Sequence, residues 1–337
     1  MRNRMRNRKL RCRVLRGIWS VMLALALGLG TTSIANAQSK GPIRITENDW
    51  TGQLVDINLA KIILEEHMGY DVDLVFADYT GQWAGLAAGD LDVSMEIWPS
   101  YSIAAHEEWI DEKKKVEVIG DLGVIGNSGW WVPTYVIEGD PERGIEPMAP
   151  DLKSYKDLDK YAKLFARTET GDKGFLLDAV PGWESQNEGR IANLGVNYVN
   201  VYAGTEGAVL AEVEGAVARG EPLIFYWFSP HWLFAKHDLT EIELPEYSDA
   251  CYGVDPDVEG TFACDWPPDA TYIVARVGFK DEHPEVYKLF KNMNLTTAEQ
   301  SKMILSVDVE EKSIEQAVRA WMADNENLWR AWIPEGV

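Results

Sequence analysis

The chain has 337 residues, with 32 Lys and Arg against 54 Asp and Glu, 14 Trp and a net charge of −22. That charge repels nucleic acid and disfavours anionic membrane surfaces, and no basic stripe offsets it. A chain of this length exceeds what one core normally serves, so two lobes are expected.

The first segment reads as a secretory leader. Eight basic residues between Arg2 and Arg16 stand without an acid, "GIWSVMLALALGLG" follows, and Ala35 and Ala37 supply small residues at the −3 and −1 positions. The apolar run is shorter than the roughly 20 residues a membrane span needs. Cleavage is expected after Ala37. Cys12 precedes the apolar run, where a lipoprotein would not carry its cysteine, so a free periplasmic monomer with no membrane insertion is expected. Residues 1–37 take eight basic residues and no acid with them. The remainder carries 24 against 54, a net charge of −30. Salt screens such self-repulsion, which suits a saline habitat. Two cysteines remain, Cys251 and Cys264, and in an oxidising compartment a disulfide between them is expected.

"PIRITEND" opens with alternating Ile43 and Ile45 and predicts a first strand, with Trp50 just beyond it. "QLVDINLAKIILEEHMGY" places Leu54, Ile57, Ile62 and Ile63 on one helical face. "DVDLVFADY" and "LDVSMEIW" predict two more strands around a short helix, the second ending at Trp98. "GWWVPTYVI" over 129–137 predicts a strand with Trp130 and Trp131 at its start. "YKDLDKYAKLF" predicts a helix. Trp183 sits in a Pro-Gly turn before another, and "TEGAVLAEVEGAVARG" is a third. "PLIFYWFSPHW" and "ATYIVARVGF" read as strands, and 283–305 and 311–333 as two closing helices. Strands alternating with helices predict a parallel α/β sheet, whose ligands sit beyond the carboxyl ends of the strands.

Trp50, Trp98, Trp130, Trp183 and Trp227 recur at the tips of these elements. Any one of them reads equally as core, since Trp is usually well buried. Five facing one crevice would suit a methylated onium cation, which has no N–H to donate and is drawn to the faces of aromatic rings. Sugars also stack on indoles, and Glu96 and Glu184 near these tryptophans leave a secreted glycoside hydrolase as an alternative. No nucleophile elbow, metalloprotease helix or phosphate loop is present, so no enzyme is expected. "DPDVEG" sets Asp255, Asp257 and Glu259 at alternate positions before Gly260, like the first half of a loop for a structural calcium. Trp266 stands where the closing Glu would be, and a solvated acidic turn is the plainer reading. No other cofactor is expected.

These pieces resemble the glycine betaine/choline-type periplasmic substrate-binding proteins of ABC transporters. The resemblance rests on "GDLDVSMEIWP" (89–99), "PGWE" (181–184), "FYWFSPHW" (225–232) and "FAKHDL" (234–239), in that order. It implies a two-lobed α/β fold of the type II periplasmic-binding-protein kind, crossed twice by the chain. Lobe I would be 38–128 with 241–337, and lobe II 129–240. It implies capture of a methylated onium osmolyte in a tryptophan cage for delivery to an ABC transporter permease. A chemosensory binding protein would share this pocket. Cage positions fall at Trp98, Trp183 and the strand around Trp227, with Trp50 and Trp130 as further candidates. Relatives often place the last cage tryptophan two residues before the proline. Here Phe228 stands there and Trp227 one earlier. Strand side chains alternate, so one of the two points inward unless a bulge intervenes, and Trp227 is favoured. His231 matches a residue that reads a ligand carboxylate in some relatives. It and backbone N–H groups near Thr51 and Gly52 are candidate donors for a zwitterion such as glycine betaine or dimethylsulfoniopropionate. Choline would instead gain from Asp49, Glu96 or Glu184. Trimethylamine N-oxide needs one donor, which a protonated Glu can supply. If His231 does not read a carboxylate, choline or trimethylamine N-oxide moves ahead of glycine betaine.

Overall fold

A computed structural model describes residues 41–254 and 259–336. The leader, and Asp255 and Asp257 of the acidic loop, lie outside the described residues. Among the described residues nine strands form: β1 Ile43–Glu47, β2 Val72–Phe76, β3 Val93–Ile97, β4 Val116–Pro133, β5 Gly174–Asp178, β6 Tyr198–Tyr202, β7 Ile224–Ser229, β8 Leu239–Glu241 and β9 Asp269–Arg276. Their order is β2-β1-β3-β9-β4-β7-β5-β6, with β8 also on β4.

The sheet is mixed rather than parallel. β1 runs parallel to β2 and β3, and β5 to β6 and β7. β9 is antiparallel to both β3 and β4, and β4 is antiparallel to β7 and β8. The exceptions are the strands that carry the chain between halves. β4 leads out of the first half and β9 leads back in, so each opposes its neighbours. β4 pairs with β9 over 116–126 and with β7 and β8 over 127–133, so one continuous strand belongs to both lobes. The sequence pattern begins this strand only at Gly129, because Gly120, Gly123 and Gly126 interrupt the alternation before it.

Each half has its own helices. In the first, helices Thr51–Ile62, Thr297–Asp308 and Ile314–Asp324 cover the sheet, burying Val55, Leu59, Met303 and Val318 against Ile43, Ile45 and Val93. Each such side chain contributes about 1.5–3 kcal/mol of burial. Trp321 and Trp332 stack in this core, 6.0 Å apart. Capping boxes start two of these helices, Thr296 with Glu299 and Ser313 with Gln316. The stretch expected as one closing helix over 283–305 is two, Pro284–Asn292 and Thr297–Asp308. Leu295 leaves the helical path to donate its N–H to the Leu122 carbonyl, 2.7 Å. In the second half, Val209 and Val213 of helix Glu206–Arg219 pack with Leu176, Ile224 and Phe225. Cys251 and Cys264 are disulfide-bonded, with Cα atoms 6.4 Å apart.

Candidate functional site

Seven aromatic side chains line a partly open cavity of about 30 Å³ between the halves. Trp50 follows β1, Tyr79 follows β2, and Trp98 and Tyr101 follow β3. Trp183 follows β5, and Tyr226 and Phe228 lie on β7. The cavity therefore sits mostly at the carboxyl ends of parallel strands, where α/β folds place their ligands. The rings meet nearly at right angles: Trp50 and Trp183 at 6.0 Å and 76°, Trp98 and Phe228 at 5.4 Å and 76°, Trp183 and Phe228 at 5.6 Å and 71°. Edge-to-face contacts of this kind fix ring orientation. Several lysines and arginines stand over rings elsewhere, such as Arg190 over Trp266, yet among the described residues none stands over a ring of this cavity.

Local backbone aims these rings. β3 carries a register shift between Ser94 and Ile97, with Glu96 at φ +57°. The bulge turns the strand end so that Trp98 faces the cleft. The Trp183 turn has Glu184 and Gln186 at φ +56° and +59°. Asp178, fully buried, accepts from Ser185, Asn187 and Asn200 and holds that turn. The Trp183 indole donates to Asp49 across the cleft, 2.8 Å.

Of the nine residues singled out from the sequence as ligand-binding, Trp50, Trp98, Trp183 and Phe228 line the cavity. Trp227 lies outside its lining, buried beside Phe228 and edge-on to His231 at 5.0 Å. Trp227 stacks on Phe228 at 5.1 Å, and both approach Trp183, so Trp227 backs the wall that Phe228 lines. Trp130 is buried and donates to Asn187, 2.7 Å. Glu184 lies half-buried at the rim, contacting Thr80 and Gln186. Tyr79, Tyr101 and Tyr226 complete the wall without having been singled out. Their hydroxyls are engaged within the protein: Tyr79 with Ser102 and the Trp98 backbone, Tyr101 with Ser128 and Tyr226.

Glu96 sits behind the wall. It is 1% exposed and accepts from the Trp98 indole at 3.2 Å and from Gln300 at 3.1 Å. Burial pushes its carboxyl up to about 7, against the pull of the Trp50 and Trp98 indoles. Asp56 beside it, fully buried, is pushed well above the usual carboxylate range by burial and by Glu96. The pair keeps a proton near neutral pH.

His231 does not line the cavity. Its Nδ1 accepts from the Leu233 N–H at 3.2 Å, and its Nε2 lies 3.7 Å from both Glu206 and Asp308. Burial depresses it to about 3, so the ring is neutral. The Thr51 N–H is engaged by Glu206 at 3.0 Å.

On the far face of β4 and β7 lies a hollow with Trp131, Phe234, Trp266, Glu241 and Asp265 in its wall. Among the described residues no group of three His, Cys, Asp or Glu could hold a metal ion, and Glu259 is exposed. None of the described helices is long and apolar enough to cross a membrane.

The family described as "Substrate binding domain of ABC-type glycine betaine transport system" matches residues 41–324. The trimethylamine N-oxide-binding protein of Pelagibacter ubique is 28% identical over 93% of this chain and 98% of its own. The glycine betaine/proline betaine-binding periplasmic protein of Escherichia coli is 23% identical over 91% and 93%. Lactococcal OpuAC, closed on glycine betaine, superposes with a TM-score of 0.67 at 21% identity, covering 87% of this chain and 99% of that one. It shares the two-lobed fold.

Proposed function

Because this chain belongs to the family of substrate-binding domains of ABC-type glycine betaine transport systems, we propose that it captures a small methylated onium solute, trimethylamine N-oxide first, in the seven-ring cavity. From the periplasm it would deliver that solute to an ABC permease. One observation carries the reading: seven aromatic rings line one cleft and, among the described residues, no side-chain cation stands over any of them. Each desolvated cation–π contact is worth up to about 2 kcal/mol, so several together give useful affinity.

The anionic end of the solute decides between candidates. A buried carboxylate without donors costs several kcal/mol. Most of the donors a zwitterion would use are engaged elsewhere: His231 faces Glu206 and Asp308, the Thr51 N–H serves Glu206, and the three tyrosine hydroxyls serve one another or the protein, which leaves the Gly52 N–H of those expected from the sequence. An amine oxide needs one donor for its oxygen. The Glu96–Asp56 pair retains a proton but lies behind the wall, where Trp98 and Gln300 engage it, so that proton reaches a solute only if the Trp98 indole gives way. The relative from Pelagibacter ubique adds weight to this choice.

Calorimetry with trimethylamine N-oxide, choline, glycine betaine and dimethylsulfoniopropionate tests the reading. Trimethylamine N-oxide is expected to bind most tightly, choline next, and the two zwitterions more weakly. Glycine betaine binding most tightly would overturn the choice of solute. Failure of all four would overturn the site.

A further inference from the structure

A second polar cluster joins the halves outside the aromatic box. From the second half come Glu206, the first residue of helix Glu206–Arg219, and His231 and Trp232 just beyond β7. From the first half come Thr51, which opens helix Thr51–Ile62, and Asp308, which ends helix Thr297–Asp308. Glu206 Oε2 lies 3.0 Å from the Thr51 N–H nitrogen and 3.3 Å from its hydroxyl. The same hydroxyl lies 2.9 Å from Asp308 Oδ1, and the Trp232 indole donates to Asp308 Oδ2 at 2.8 Å. Glu206 and His231 are both buried.

Counting protons exposes a shortfall. The Thr51 hydroxyl has one proton and two carboxyl groups against it. When it donates to Asp308 at 2.9 Å it turns a lone pair toward Glu206 Oε2 at 3.3 Å, a contact that a proton on Glu206 relieves. His231 cannot act as the missing cation. Its Nδ1 already accepts from the Leu233 N–H, so a proton placed there would oppose that donor. The groups acting on Glu206 are the acids Asp308 and Glu96, the Thr51 N–H and hydroxyl, and neutral His231, whose Nε2 lies 3.7 Å away, beyond hydrogen-bond distance, and no cation stands among them.

We propose that the Glu206 carboxyl is a proton-binding site filled as the halves close, so that the solute and one proton are bound together. This rests on the reading that the cleft closes around a solute. Opening separates Glu206 from Thr51 and Asp308 and returns it to water, where it ionises in the ordinary range. In the closed protein burial, then Asp308 and Glu96, hold it up at about 8, against the Thr51 hydrogen bonds. The sign follows directly. A closed-state pKa above the open-state one favours closure at low pH, and the advantage disappears as pH rises from about 5 to about 8.

The test is calorimetry of trimethylamine N-oxide binding at pH 6, 7 and 8, for the wild type and Glu206→Gln, in buffers of differing ionisation enthalpy. The wild type is expected to lose affinity with rising pH, by up to about tenfold per unit, and to take up protons on binding. The Gln variant, which keeps the shape of the protonated acid, is expected to show a flatter profile and to bind more tightly than wild type at pH 8. Parallel profiles in the two proteins, or no proton uptake by the wild type, would overturn the proposal. Should trimethylamine N-oxide not bind while choline does, the choice of solute fails and the same titration runs with choline. A solute-free measurement stands beside both. With the halves open, the difference in thermal midpoint between the wild type and Glu206→Gln is expected to stay the same from pH 6 to pH 8, and a wild-type midpoint that falls relative to the variant there would show Glu206 buried without solute and overturn its link to closure.

Discussion

Gly126 and Trp98 compete for one space. A Cβ on Gly126 would come within 2.0 Å of the Trp98 ring, so the indole lies against bare β4 backbone. Trp98→Ala is expected to weaken onium binding by about 1–3 kcal/mol, through lost cation–π contact and burial. Gly126→Ala is expected to reproduce much of that loss without removing a ring atom, because the methyl displaces the indole from the wall. Calorimetry on both variants checks this, and wild-type affinity in Gly126→Ala would mean that the position of this ring does not matter to the solute. The tryptophans of the wall were legible because each ends a strand or sits in a turn marked by Pro or Gly. The tyrosines were not, since Tyr with its hydroxyl satisfied is equally at home in a core. Trp227 and Phe228 differ by one step of strand phase, and composition does not report phase. His231 carried a readable motif, but its partners Glu206 and Asp308 come from positions 25 and 77 residues away.

At the scale of elements, β1, β3 and β9 are tied by one carboxylate. Asp92, just ahead of β3 and 1% exposed, accepts from Arg44 at 2.8 and 3.0 Å and from Arg276 at 2.7 Å. Burial pushes its carboxyl up, but the two guanidinium groups win and hold it below the usual range. Asp92→Ala would strip Arg44 of its ion pair and leave Arg276 with Glu282 alone, and a stability loss of about 1–3 kcal/mol is expected from urea unfolding. The pH dependence has a definite sign. A depressed carboxylate stabilises above its unfolded pKa of about 4 and stops doing so as pH falls through its folded value, so the variant should lose less stability on acidification than the wild type. Equal acid sensitivity would show that the tie does not govern this edge of the sheet. Strands flanked by helices were easily read from sequence. The first part of β4 was not, because its glycines admit close neighbours at the expense of pattern: a Cβ on Gly123 would come within 2.4 Å of the Leu295 carbonyl.

For the whole molecule, the contacts across the cleft include several polar ones. Trp183 bonds Asp49, Glu206 bonds Thr51, and Trp232 bonds Asp308. Hydrogen bonds of this kind contribute about 1 kcal/mol each and exchange readily with water. The halves should therefore open in solution and be held shut by a solute that touches both walls. Small-angle scattering is expected to give a smaller radius of gyration with trimethylamine N-oxide than without it. An unchanged radius would point to a rigid pocket.

The place of β9 in the sheet also dictates the order in which the chain can fold. It lies between β3 and β4, yet it is the last strand to be synthesised. Until residues 269–276 arrive, β3 has an open edge and β4 has no neighbour along 116–126. Segments β5 to β7 can pair among themselves much sooner, since their contacts are nearer in sequence. The half that begins first thus finishes last.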